Sequence, residues 1–304
     1  MEECKTILAV GSIAIDTLQT PNGNRDNVLG GSATYFSMAA GLFTSVRLVG
    51  VVGEDYPDKG WKIFKSRNIN IENIQVVEGK TFRWGGKYNQ DYSTRNTLFT
   101  ELGVFDSFSP VIHDNGRSSP LVFLGNIQPD LQLKVASLMT SAEYIVSDTM
   151  NLWIDMCPDK VDQVLKISNI FFLNHEEAFQ FTGTNDIPKA ACQLHALGPK
   201  IIVIKMGAEG AYLSFNDRAY YIPTFPVEKT IDPTGAGDSF AGGFMGCLAQ
   251  SGNQDLLKAV LTGTAMASYC VENFGADSLL NVTLDDIDSR IAVIKERMYI
   301  MENT

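Results

Sequence analysis

Histidine is scarce in this chain: His113, His175 and His195 are the only three, and they stand far apart. A zinc site or a histidine-based triad needs such residues in a defined grouping, so each of the three reads as structural or exposed. Cysteine is almost as thin. Cys4, Cys157, Cys192, Cys247 and Cys270 are odd in number, scattered, and form no Cys-x-x-Cys pair. They read as reduced thiols of a cytoplasmic protein rather than a disulfide framework. Positive charge is short as well, with 24 Lys and Arg against 35 Asp and Glu and a net charge of −11. Nucleic acid and anionic membrane surfaces would repel such a field, although a local Arg and Lys cluster can still receive an anionic small molecule. No stretch approaches the roughly 20 apolar residues of a membrane span. The opening "MEECKTILAVGSIAID" places acids before a short apolar run, which fits a first buried strand and not a secretory leader.

What is present is an apolar content of 45% in 304 residues, enough for a sizeable core. Short apolar runs at 6–11, 46–53, 120–126, 144–148, 170–174 and 201–207 alternate with helix-like spacing at 32–43, 57–67, 130–140, 151–167, 176–182 and 187–197. Such alternation predicts an α/β fold with a mainly parallel sheet covered on both faces. Ligands of such folds sit beyond the C-terminal strand ends, which singles out Asp16, Asn126, Asp148, Asn174 and Lys205. No repeat, low-complexity tract or linker divides the chain, so residues 1–304 are expected to form one domain.

Two segments break the alternation. Residues 17–29 and 81–101 are polar, aromatic and turn-rich, and are expected to form a small sheet covering the ligand site. Phe82, Trp84, Tyr88, Tyr92 and Phe99 could stack on a base or sugar face or form the cover's own core. Arg83 and Arg95 could meet a phosphate or simply be solvated.

"TIDPTGAGDSFAGGF" at 230–244 is the most informative stretch. Phe240, Phe244 and Leu248 fall four apart on a helix expected to stop near Gly252, so Thr234-Gly235-Ala236-Gly237 feeds a helix N-terminus. Small residues there leave peptide N–H groups bare, and the helix dipole adds positive potential, which together make an anion site. Asp238 is at odds with a phosphate unless a hydroxyl lies between them. It would then take the hydroxyl proton as the oxygen attacks phosphorus. Taken singly, Asp238 reads first as an acid capping a helix after a glycine turn; the whole string from Asp232 to Asp238 favours the base.

Residues 232–240 resemble the C-terminal signature of the ribokinase-like (PfkB) carbohydrate kinase family. The likeness extends over "VGSIAID" (10–16), "LGGSATYFSMAAGL" (29–42), "VGVVGEDYPDKG" (49–60), "LNHEE" (173–177) and "IKMGAEGAY" (204–212). The resemblance implies a three-layer αβα ribokinase-like fold with a mainly parallel central sheet and a small β lid. It implies a transferase that moves the γ-phosphate of ATP to a hydroxyl of a small sugar, with a nucleoside as the alternative acceptor and a non-catalytic ligand sensor as the third reading. By resemblance Asp238 is the base, and Gly235, Ala236 and Gly237 are the anion hole. Asp16, Gly30 and Gly31 hold the acceptor. Asn174, Lys205, Gly207, Gly210 and Thr264 border the nucleotide, and Asn174 and Glu177 organise Mg²⁺ through water.

Ala14 and Tyr35 stand where ribose-specific members have asparagines, which argues against free ribose. Asp232, Thr234 and Gly275 fall at the family's monovalent cation site, so K⁺ is a further expectation, and exposed aromatics at 82–99 suggest a homodimer through the lid. Other matches fail. "EGKT" (78–81) has Ile74 where a phosphate-binding P-loop needs glycine, and "HEEAF" (175–179) has Phe179 where a zinc motif needs histidine. "NVT" (281–283) is a glycosylation sequon without meaning in a cytoplasmic protein.

Overall fold

Side-chain alternation along the first strand sets the layering. In a computed structural model describing residues 4–92, 94–252 and 255–302, Ile7 and Ala9 point into one core while Leu8 and Val10 point into another. The first core gathers Phe123, Phe172, Phe240 and Phe244 under helices Ser32–Ala40, Ala236–Gln250 and Leu256–Cys270. On the opposite face, Val122 and Leu124 meet Val135 of helix Pro129–Leu138, and Phe171 and Ile202 meet Val164 and Leu194. Each fully buried Leu or Phe stabilises by about 1.5–3 kcal/mol, and a one-residue slip would exchange the two faces, so register is tightly specified.

The strands are β1 (Ile7–Val10), β2 (Ala14–Thr20), β3 (Gly23–Gly30), β4 (Val46–Gly53), β5 (Ile69–Val77), β6 (Phe82–Tyr88) and β7 (Arg95–Glu101). They continue with β8 (Leu121–Leu124), β9 (Tyr144–Ser147), β10 (Ile170–Asn174), β11 (Ile201–Lys205), β12 (Ala211–Phe215) and β13 (Arg218–Ile222). Among the described residues the large sheet runs β13-β12-β11-β10-β9-β8-β1-β4-β5, and only the β11–β12 and β12–β13 pairings are antiparallel. The chain leaves β1 toward β4 on one side and later returns to β8 on the other. That reversal opens a crevice beyond the strand ends.

A second sheet, ordered β3-β2-β6-β7, corresponds to the expected cover. It begins earlier than 17–29 suggests. The first apolar run ends at Val10, the chain turns through Gly11–Ile13, and β2 starts at Ala14. Asp16 therefore belongs to the second sheet and not to the end of the first strand. The predicted helix 151–167 is two helices, Asn151–Met156 and Pro158–Ile167, parted at Cys157 with φ −148° and ψ 57°. Pro158 disfavours helical geometry in the residue before it, so the break falls there. Helices Leu256–Cys270 and Leu284–Glu302 and strands β5, β12 and β13 add to the elements the sequence pattern showed. No helix among the described residues is long and apolar enough to cross a membrane.

Candidate active site

The glycine loop is braced from within. Asp232, fully buried, accepts the Thr234 N–H at 3.0 Å through Oδ1. Gly235 then caps helix Ala236–Gln250 with φ 76°. Ala236 donates its N–H to the Pro233 carbonyl at 3.2 Å, so of the three expected anion-hole amides this one is already engaged. The amides of Gly235 and Gly237 have no backbone acceptor among the described residues. The bare cradle therefore narrows to two donors plus the helix dipole.

Two cavities meet at this loop. One, of about 460 Å³, is lined by Asp16, Gly31, Tyr35, Gly235 and Asp238 together with Trp84, Arg95, Phe105, Asn126 and Trp153. The other, of about 730 Å³, is lined by Lys205 through Gly210, by Ala236 and Gly237, and by Thr264. Gly235 and Asp238 line the first cavity and Ala236 and Gly237 the second, so the loop is the partition between them.

Asp16 is 3% exposed and its Oδ1 has no hydrogen-bond partner among the described residues. Burial, with Asp232 adding repulsion, pushes its carboxyl up to about 8. Gly30 makes room for it, because a Cβ at Gly30 would lie 1.9 Å from Asp16 Oδ2. Gly30 is thus a spacer behind Asp16 and does not itself line the cavity, whereas Gly31 does. Asp238 is pushed up to about 7 by burial and by Asp148, with Lys205 and Arg95 pulling the other way. Lys205 donates to Asp148 Oδ2 at 2.6 Å.

Asn174 and Glu177 do not line either cavity. They form a reciprocal cap on helix His175–Thr182: Asn174 Oδ1 accepts the Glu177 N–H at 2.8 Å, and Glu177 Oε2 accepts the Asn174 N–H at 2.7 Å. Burial pushes Glu177 up to about 7. Thr264 lines the larger cavity, but its hydroxyl donates to the Val260 carbonyl at 2.9 Å, leaving its methyl as the contact surface.

The aromatic cover divides by task. Phe82 and Trp84 line the smaller cavity, Phe82 stacking on Phe105 at 5.6 Å between centroids. Tyr88 and Tyr92 instead reach the glycine loop: Tyr88 Oη pairs with Thr234 Oγ1 at 2.9 Å, and Tyr92 Oη donates toward the Thr230 and Ile231 carbonyls at 3.0 and 3.1 Å. Phe99 packs over Gly85. Of the two arginines, Arg83 lies 3.4 Å from Asp55, while Arg95 stacks over Trp84 and lines the acidic cavity. Cavity residues that the sequence expectations did not include, such as Ser12, Gln128 and Trp153, come from the loops after β1 and β8 and from helix Asn151–Met156 after β9. Their signal was their place at the sheet reversal rather than their residue type.

Comparison with known proteins converges on one family. The family model described as pfkB family carbohydrate kinase matches residues 7–283. A cytidine kinase of Thermococcus kodakarensis is 30% identical over 275 residues, covering 88% of this chain and 97% of that protein. The crystal structure of a Methanocaldococcus jannaschii nucleoside kinase, described as an archaeal member of the ribokinase family, matches with a TM-score of 0.77 at 22% identity, over 95% of this chain and 98% of that one. An Escherichia coli protein solved with ATP and Mg²⁺ matches with a TM-score of 0.80 at 17% identity, over 95% and 99%. With the three-layer fold, the second sheet and the glycine loop between two cavities already in place, the match over residues 7–283 shows that the chain belongs to the pfkB family of carbohydrate kinases.

Proposed function

We propose that this kinase transfers the γ-phosphoryl of ATP to a hydroxyl on the sugar of a nucleoside, and that the smaller cavity is the acceptor site. The observation carrying this reading is the make-up of that cavity. Asp16, with an unpartnered buried oxygen, and Asp238 suit sugar hydroxyls, while Trp84, Phe105 and Trp153 add flat apolar surface enough for a base beside the sugar. A volume of about 460 Å³ lies within the roughly 300–1,000 Å³ typical of sites for larger small molecules. Relatives described as a cytidine kinase and as nucleoside kinases support the same choice.

In this scheme Asp238 accepts the proton of the attacking hydroxyl. The new O–P bond forms as the bond from Pγ to the bridging oxygen breaks, and the electron pair stays on ADP. The Gly235 and Gly237 amides face the charge on the moving phosphoryl. A base poised near neutrality matches a working pH near 7.

Mg²⁺ fits if it rests mainly on phosphates and water. Among the described residues no group of three or more His, Cys, Asp or Glu could hold a metal directly. Glu177 has one carboxylate oxygen outside the capping box, and a nearby cation would offset the cost of its buried charge. When bound, the ion supplies neutralisation of phosphate charge. A monovalent cation fits beside Asp232, whose Oδ2 is buried and unpartnered among the described residues. A Tm higher in KCl than in NaCl of equal ionic strength is the expected sign. A cytoplasmic setting accords with five free cysteines. A homodimer through the second sheet accords with β7 being an edge strand with Leu98 45% exposed, and sedimentation would test it.

The deciding experiment is ADP release across a panel of nucleosides, free sugars and sugar phosphates. The Asp238→Asn variant is expected to bind ATP normally and lose about 10²- to 10⁴-fold in kcat. Turnover of free sugars in preference to every nucleoside would overturn the acceptor assignment.

A further inference from the structure

Asp148 has no task in the scheme above, yet it is held with care. It follows β9, and Lys205 ends β11. These two strands flank β10, and the side chains meet across its end with Lys205 Nζ donating to Asp148 Oδ2 at 2.6 Å. Asp148 Oδ1 accepts the Thr149 N–H at 2.9 Å. The Asp148 carbonyl accepts from Gln132 Nε2 at 2.9 Å, and the same amide donates to the Leu124 and Gly125 carbonyls at 3.1 and 2.9 Å. The Asp148 and Lys205 side chains are 4% and 16% exposed. An ion pair this deep is a poor source of stability, because desolvation offsets most of its Coulomb gain. What the pair does secure is the position of a charge.

That position is informative. Lys205 forms part of the larger cavity's wall, and its Nζ lies 3.2 Å from the point where a Cβ on Gly237 would sit. The ammonium is therefore beside one of the two free amides of the cradle. An ammonium has three donors and Asp148 takes one. The geometry points to Lys205 as a catalytic residue that contacts the phosphoryl group in transit, and to Asp148 as the positioning residue that aims it. This inference rests on the kinase reading and deepens it. Asp148 tethers the ammonium beside the cradle, so the charge is in place before transfer and does not have to reorganise during it.

The test is a mutant cycle on the full-length protein, with Asp238→Asn as reference. Asp148→Asn keeps the shape and removes the tethering charge. It is expected to lower kcat at least about tenfold, with acceptor KM changed by less than about twofold. Tm should fall as well, because the Lys205 ammonium stays buried without its charged partner, so kcat is read well below the variant's melting transition. Lys205→Met is expected to lower kcat by about 10²-fold or more, and Lys205→Arg to recover part of it. Because Asp148 acts through Lys205, the Asp148→Asn/Lys205→Met double variant should be no slower than Lys205→Met alone. Parental kcat in Asp148→Asn, or losses that multiply in the double variant, would overturn the assignment. If Asp238→Asn is inactive in that case, the kinase reading survives; a parent protein without turnover on any acceptor would overturn both.

Discussion

Gly235 lies flat against the ring of Tyr35. A Cβ on Gly235 would sit 2.3 Å from Tyr35 Cγ and Cδ1 and 2.4 Å from Cδ2, and its φ of 76° already favours glycine. The ring, 1% exposed on helix Ser32–Ala40, thus forms the floor of the amide cradle. Gly235→Ala should push the turn off its floor, lowering kcat by about 10²-fold and Tm by roughly 2–4 °C or more. An alanine variant with parental turnover would show that the cradle does not depend on this contact.

Acid should silence the enzyme before it unfolds it. Burial and Asp148 raise Asp238 to about 7, so kcat/KM for the acceptor should fall about tenfold per pH unit below that point. Arg95 helps hold Asp238 ionised, so Arg95→Gln should move the profile's acidic limb to higher pH. A profile flat from pH 5 to 8, with chemistry limiting, would remove Asp238 from its role.

Stability should run the opposite way with pH. Asp16 is raised to about 8, and Glu177 and Asp238 to about 7, so the folded state binds more protons than the unfolded chain between about pH 4 and 8. The sign is then negative: stability declines as pH rises through that window. Without ligands, Tm is expected to be higher at pH 5.5 than at pH 8.5. Asp16→Asn should raise the pH 8.5 value by roughly 3 °C or more while abolishing acceptor binding. Equal melting temperatures for Asp16→Asn and parent at pH 8.5 would mean that Asp16 is better solvated than its burial implies.

Trp84 offers a test of what the acceptor carries. It lines the proposed acceptor cavity beneath Arg95, whose guanidinium carbon is 5.0 Å from the ring centroid. Removing a stacking surface costs about 1–3 kcal/mol per base, so Trp84→Ala should raise nucleoside KM at least several-fold and leave ATP KM unchanged. Equal effects on a nucleoside and on its free sugar would point to a purely structural ring.

The second sheet is latched to the cradle by Tyr88, whose hydroxyl meets Thr234 at 2.9 Å, and by Asn22, whose amide donates to the Thr230 carbonyl at 2.6 Å. Acceptor and nucleotide together should slow hydrogen exchange across the described residues of 81–101, and Tyr88→Phe should weaken that protection. Exchange indifferent to both ligands would argue for a fixed cover.

Much of this was legible in the residues. Alternating apolar runs marked the parallel sheet, and the run of small residues before Phe240 marked the loop, because bare amides leave a compositional trace. Asp16's true setting did not show. Its displacement onto the second sheet depends on a turn at Gly11–Ile13 within a run that reads as continuous apolar strand. The Asp148–Lys205 contact was equally hidden, since 57 positions separate the two and only the strand order joins them. Trp84 and Arg83 have neighbours in sequence that look alike, yet one lines a cavity and the other pairs with Asp55. The pleat, which sends successive side chains to opposite faces, decides between them.

Placing Asp16 on the same sheet as Trp84 and Arg95 has a kinetic meaning. In the proposed scheme a sugar hydroxyl held by Asp16 would pull on the same sheet that carries Trp84 and Arg95, which would couple gripping the acceptor to closing the chamber. A water can meet Asp16 or Asp238 but lacks the sugar framework that would join the two, so under the same proposal it would leave the chamber open. Selectivity against the cheapest competing nucleophile, and with it protection from futile ATP hydrolysis, would then follow from where one carboxylate is mounted.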